Sequence, residues 1–222
     1  MNQQEFKLSR RMRSRELGYG GKEFAIMVLG VAGVGKTRFG KALAQKLGLR
    51  FVDVPDLVKT RKLYSSYDPS SQAYVVDLRR VSAAAGSELR GAGGVISSIY
   101  AFKPRGIKVR CALVLRMNPL KLLRVLEERR YPRDKIRENV SAELIDHPLV
   151  EAIRKFGRGR VIQVDVTDVD LDELAGRFAE AIRSRQVKKL DVRVDWISEL
   201  ERSGKLEDLL RFIEAGSSKE MR

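Results

Sequence analysis

The sequence predicts an α/β fold: a five-stranded parallel sheet flanked by helices, with a small C-terminal helical extension. Three observations carry this. Short apolar runs alternate with stretches of helical periodicity along most of the 222 residues. The first run passes directly into a glycine-rich turn and then a helix. The apolar share, 43%, is enough for one sizeable core, which excludes global disorder.

The elements follow in order. Phe24–Leu29 is continuously apolar, as a strand buried on both faces must be. From Lys36, Phe39, Leu43 and Leu47 recur at helical spacing, and Gly48 stops the helix. Arg50–Val54 reads as a second strand ended by Pro55, Gly94–Ser98 as a third and Val109–Arg116 as a fourth, closed by Asn118-Pro119. Arg160–Val166 is the fifth. Pro119–Glu128 carries Leu122, Leu123 and Leu126, while Leu171, Leu174, Ala175, Phe178 and Ile182 form an apolar stripe. Strand and helix repeated in this way give a parallel sheet. The predicted organisation is a basic N-terminal arm over 1–22, a central domain over 23–188 and a helical extension over 189–222. In that extension Trp196, Ile197 and Leu200 precede a second stripe of Leu206, Leu209, Leu210 and Ile213.

The net charge of +15 is unevenly distributed. Through Arg110 there are 21 basic and 8 acidic residues, and beyond it 23 and 21. No acid lies between Glu88 and Glu127, where Arg90, Lys103, Arg105, Lys108, Arg110, Arg116, Lys121 and Arg124 all fall. Such a block points to a polyanionic partner, nucleotide or RNA, with a merely solvated basic surface as the alternative. The apolar runs are too short to span a membrane, so no membrane partner is expected. The single cysteine, Cys111, fits a reducing, cytoplasmic setting.

Gly30-Val31-Ala32-Gly33-Val34-Gly35-Lys36-Thr37 matches G-x-x-x-x-G-K-[ST] in full, between the first strand and the first helix. Its glycines let backbone N–H groups turn inward around phosphate oxygens, and the helix behind adds its positive end. Lys36 reaches the β- and γ-phosphates, and the Thr37 hydroxyl can ligate Mg²⁺. ATP with Mg²⁺ is the expected cofactor, held by Gly30, Gly33, Val34, Gly35, Lys36, Thr37 and Arg38. No Asn/Thr-Lys-x-Asp element of guanine readers is present, and a short chain with the loop first suits a small-substrate kinase. Asp56-Leu57-Val58-Lys59 follows the second strand, where monophosphate kinases bind their acceptor. Arg129, at the end of the helix after the fourth strand, is positioned to clamp the transferred phosphoryl group as a lid arginine does.

These residues carry a resemblance. Gly33–Thr37, Lys46-Leu47-Gly48-Leu49, Asp56-Leu57, Asp77 with Arg80, Val114-Leu115-Arg116 and Leu126-x-x-Arg129-x-Tyr131 resemble the isoenzyme-6 type of adenylate kinase, the coilin-interacting nuclear ATPase family. The stretch Lys135-Ile136-Arg137-Glu138-Asn139-Val140-x-Ala142-Glu143-Leu144 is the most specific marker. The resemblance implies an adenylate-kinase-like fold, AMP phosphorylation and ATP hydrolysis, with Asp56, Lys59, Asp77 and Arg80 at the acceptor nucleotide. It also implies a role in small-subunit ribosome assembly, with rRNA and a platform ribosomal protein as partners. Four positions depart from the family. Ser98 and Tyr100 stand at its Asp-x-His pair, leaving Ser98 as a metal residue without charge. Arg38 replaces a second hydroxyl, and Lys59 replaces an arginine. Asp53 and Asp56 are the remaining acids that could act on Mg²⁺.

Other candidates are expected to be structural: His147 before Pro148 at a helix interruption, Cys111 in the core, and Trp196 anchoring the C-terminal helices. Tyr64 and Tyr67 either pack or stack on a base. Three readings stay open: a nucleoside monophosphate kinase, a ribosome-assembly ATPase, and a nucleotide-binding module without turnover that binds rRNA or a ribosomal protein.

Overall fold

The computed structural model describes residues 23–68 and 73–215. The basic arm expected over 1–22 lies outside the described residues. Five strands form one parallel sheet: β1 (Phe24–Leu29), β2 (Arg50–Asp53), β5 (Gly94–Ser97), β6 (Lys108–Arg116) and β7 (Val161–Asp165). Their order is β2-β5-β1-β6-β7. The chain winds to one side of β1 and then crosses to the other, so a crevice opens at the C-terminal ends of the strands beside β1.

Alternation along β1 divides the interior. Phe24, Ile26 and Val28 enter one apolar cluster, and Ala25, Met27 and Leu29 the other. The first cluster is covered by α1 (Lys36–Leu47), α4 (Pro119–Glu128), α5 (Arg133–Leu144) and α7 (Leu171–Arg183). The second is covered by α2 (Val54–Thr60), α3 (Leu78–Leu89) and α6 (His147–Phe156). Helices thus lie on both faces. The extension forms α8 (Trp196–Arg202) and α9 (Leu206–Glu214), whose Trp196, Leu200 and Leu209 are buried in the first cluster.

The strand expected over Arg50–Val54 stops at Asp53. Asp53 accepts from the Asp56 N–H, and Pro55 occupies the first turn of α2, so Val54 already belongs to the helix. The interruption expected at His147-Pro148 is present: α5 ends at Leu144 and Asp146 turns with φ 59° before α6 begins. A feature the sequence reading did not foresee is an antiparallel hairpin, β3 (Tyr64–Asp68) with β4 (Ala73–Val76). Its rings stack on one another, Tyr74 lying 4.4 Å from Tyr64 and 5.2 Å from Tyr67. Tyr64 is half-buried and Tyr67 exposed, and each contacts Tyr74.

Among the described residues no helix is long and apolar enough to cross a membrane. Cys111, on β6, is buried and free, and burial pushes its thiol up to about 12. A thiol probe at pH 8 is therefore expected to leave Cys111 unmodified in the folded protein and to label it fully in denaturant. Rapid labelling under native conditions would place Cys111 outside a packed core.

Candidate nucleotide site

The glycine-rich loop joins β1 to α1 at the open edge of the sheet, where the strand order reverses. Two of its glycines are required by geometry. Gly30 has φ +142°, and a Cβ there would meet the Leu115 carbonyl oxygen at 2.7 Å. Gly35 starts α1 with φ +88°, and a Cβ there would strike Leu171 at 2.5 Å. Another helix supports the loop from behind: the Ala32 N–H donates to Asn139 Oδ1 on α5 at 2.8 Å.

Lys36 is buried, and its Nζ donates to the Val31 carbonyl at 2.7 Å. Burial lowers its pKa to about 8; the carboxylates of Asp53 and Glu143 oppose the shift, and Arg129 adds to it. Arg129 therefore lies close enough to act on the charge of Lys36. It caps the end of α4 and, with Lys121 and Val125 of that helix, forms one wall of a cavity of about 550 Å³. Gly33, Val34 and Gly35 form its floor, and Val166 to Leu171, after β7, the opposite wall. Lys121 and Asp168 bridge the walls at 3.3 Å. The volume and a phosphate-type loop at its floor suit a nucleotide.

Arg38 also lines this cavity, but its guanidinium is turned onto Asp170 and Asp172 at the start of α7. The positive charge of Arg38 is thus offset by two acids. These partners lie 132 and 134 residues away in sequence, beyond any local signal.

Thr37 Oγ1 donates to Asp53 Oδ2 at 2.6 Å, joining the end of the loop to the end of β2. A hydroxyl and a carboxylate are the hard oxygen donors that Mg²⁺ prefers. Ser98 is fully buried after β5, and its hydroxyl accepts the Tyr100 N–H at 2.9 Å. The residues expected at the acceptor lie on a side lobe built from α2, α3 and the hairpin between them. Asp56 and Lys59 are exposed on α2. Asp77 caps α3, accepting from the N–H groups of Arg79 and Arg80 at 3.0 and 3.1 Å, while the Arg80 side chain is exposed. The Asp77 cap was readable in the sequence as an acid directly before a helical stripe. Asn139 and Asp53 carried no local signal for their contacts with the loop.

Comparison with known proteins agrees with this geometry. A family model described as an AAA domain matches residues 26–146. A protein of Methanocaldococcus jannaschii named "Putative adenylate kinase" is 30% identical over 174 residues, 77% of this chain and 92% of that protein. One of the same name in Thermococcus kodakarensis is 35% identical over 171 residues, covering 77% and 92%. Among solved structures, a gluconokinase from Sinorhizobium meliloti superposes with a TM-score of 0.51 at 23% identity, over 75% of this chain and 95% of that one, a likeness of fold. The protein belongs to the adenylate-kinase-like family of P-loop proteins.

Proposed function

We propose that the protein is a nucleoside monophosphate kinase that transfers the γ-phosphoryl group of ATP to AMP. The observation that carries this reading is a cavity lined by Gly33, Val34 and Gly35 of the phosphate-type loop and by Arg129, which acts on the charge of the buried loop lysine, Lys36. A phosphate oxygen of AMP attacks the γ-phosphorus, the bond to the β–γ bridging oxygen breaks, and two ADP result. The chain supplies positioning and charge: loop N–H groups and Lys36 hold the β- and γ-phosphates, and Arg129 spreads positive charge over the transferred oxygens. Asp56, Lys59, Asp77 and Arg80 are assigned to the acceptor. Mg²⁺, when bound at Thr37, neutralises charge on the β- and γ-oxygens. The names of the archaeal relatives support the same reaction.

A second reading, binding of an RNA such as rRNA, is favoured by where the excess charge lies. Lys103, Arg105, Lys108 and Arg110 are exposed, while Arg116 in the same run is buried and paired. Lys108 starts β6 and Arg116 ends it, roughly 26 Å apart at strand spacing, so these bases lie at the end of the sheet opposite the loop. Bound ATP cannot use them. In this reading the protein acts in small-subunit ribosome assembly, on rRNA or a platform ribosomal protein, with ATP hydrolysis or occupancy as the switch.

Three measurements test these readings. ADP formation should require AMP and fall at least about tenfold in Arg129→Ala. AMP-independent phosphate release would favour the ATPase, and neither activity, with ATP still bound, the module without turnover. ATP affinity should be flat below pH 8. Above it, free Lys36 has lost the proton that the phosphates need, so affinity should fall by up to about tenfold per unit. Lys36→Arg, which keeps its charge, should remove that fall, and Lys36→Ala should abolish binding; a steep fall persisting in Lys36→Arg would assign it to another group. Finally, retention of rRNA on filters should drop steeply between 50 and 200 mM salt, by roughly 10³-fold if six phosphates are contacted. A flat response would mean the exposed bases are merely solvated.

A further inference from the structure

A divalent cation in a P-loop site is held by the loop hydroxyl and by an acid at the end of a neighbouring strand. The strand beside β1 on the acceptor side is β5, and it ends in hydroxyls: Ser97 and Ser98 are both buried. The Ser98 hydroxyl already accepts the Tyr100 N–H. An acid does occur one strand further out. Asp53 ends β2 directly opposite Ser97 in the parallel register, one strand spacing away. Its Oδ2 receives the Thr37 hydroxyl proton at 2.6 Å. That bond leaves the lone pairs of Thr37 Oγ1 for a cation. The other oxygen, Oδ1, meets the Asp56 N–H at 3.5 Å, the outer limit of a hydrogen bond, so capping of α2 does not saturate the carboxylate.

We propose that Asp53 is the acid that holds the divalent cation of the nucleotide site, β2 supplying the charge that β5 lacks. Among the described residues there is no group of three or more His, Cys, Asp or Glu that could hold a metal by itself. A site of one carboxylate, one hydroxyl and the phosphate oxygens of the nucleotide has the composition Mg²⁺ favours over an all-protein cage. The proposal rests on ATP binding at the loop, as argued above.

The test is calorimetric titration with AMP-PNP, a non-hydrolysable ATP analogue, in EDTA and in Mg²⁺. The parent should bind more tightly with Mg²⁺ than with EDTA. Asp53→Asn keeps the side-chain volume and caps a helix as well as Asp does. It should lose about tenfold or more of the Mg²⁺ enhancement, read as the ratio of the Mg²⁺ affinity to the EDTA affinity, while an unchanged thermal unfolding midpoint reports an intact fold. Ser98→Ala should keep the enhancement within about twofold, since a neutral hydroxyl contributes little beside a carboxylate. Free Mn²⁺ counted by electron paramagnetic resonance with AMP-PNP present should give the same ranking. Full enhancement in Asp53→Asn, its loss in Ser98→Ala alone, or a parent indifferent to Mg²⁺ while still binding AMP-PNP would each overturn the assignment of Asp53. A parent that binds no AMP-PNP under either condition would instead bring down the nucleotide site and this assignment with it.

Discussion

A charge pair sealed from solvent ties the halves of this molecule together. Arg116 ends β6 with no exposed surface and donates through Nε to Glu143 Oε1 at 2.8 Å, through Nη1 to Gln163 Oε1 at 2.9 Å, and through Nη2 to the Glu143 carbonyl at 3.2 Å. It also pairs with Asp146. Glu143 Oε1 accepts two further bonds, from the Met117 N–H at 3.1 Å and from the Trp196 indole at 2.9 Å. One carboxylate thus fixes the end of the sheet, α5 and the C-terminal helices together. Burial pushes its pKa up, and Arg116 opposes that shift. Loss of Arg116 would leave the Glu143 carboxylate buried without its partner, a cost of about 3–5 kcal/mol. The pair therefore constrains more than its own contacts.

The phosphate loop is indexed to that pair. Asn139 lies one turn before Glu143 on α5 and receives the Ala32 N–H, so the helix that carries the buried acid also holds the loop. Arg137 on the same helix donates to the Phe212 carbonyl and lies over its ring, which joins α5 to α9. The stretch Lys135–Leu144, which carried the most specific part of the family resemblance, thereby gains a physical reason. It contacts the loop, the sheet end and the extension, and its polar residues are matched to those contacts.

The sheet also separates two kinds of positive charge. At its C-terminal edge Arg129 lines a cavity sized for a nucleotide, and burial lowers the pKa of the loop lysine, Lys36, to about 8. At the opposite end exposed bases at the start of β6 face solvent. A parallel sheet imposes this division, because every strand brings its C-terminal end to the same edge. A nucleotide site and any polyanion contact thus fall at different ends of one sheet.

The five strands, the loop and the helix behind it were legible in the sequence because each is specified locally, by apolar runs, glycine spacing and helical periodicity. The place of Arg129 at the end of one helix was legible for the same reason. The hairpin β3–β4 escaped, since Tyr64–Asp68 lacks the alternation of a half-buried strand and is held by ring stacking with Tyr74. What remained hidden are pairings between residues far apart in the chain: Thr37 with Asp53, Arg38 with Asp170 and Asp172, Ala32 with Asn139, and Glu143 with Trp196. A hydroxyl or carboxylate looks the same in sequence whether it faces water or a partner, and only the folded chain brings the partner within hydrogen-bond reach. By itself the sequence therefore determined the phosphate-type loop and its place between β1 and α1. The tertiary structure decided which acid stands beside that loop, because the register of β2 against β5 sets it there.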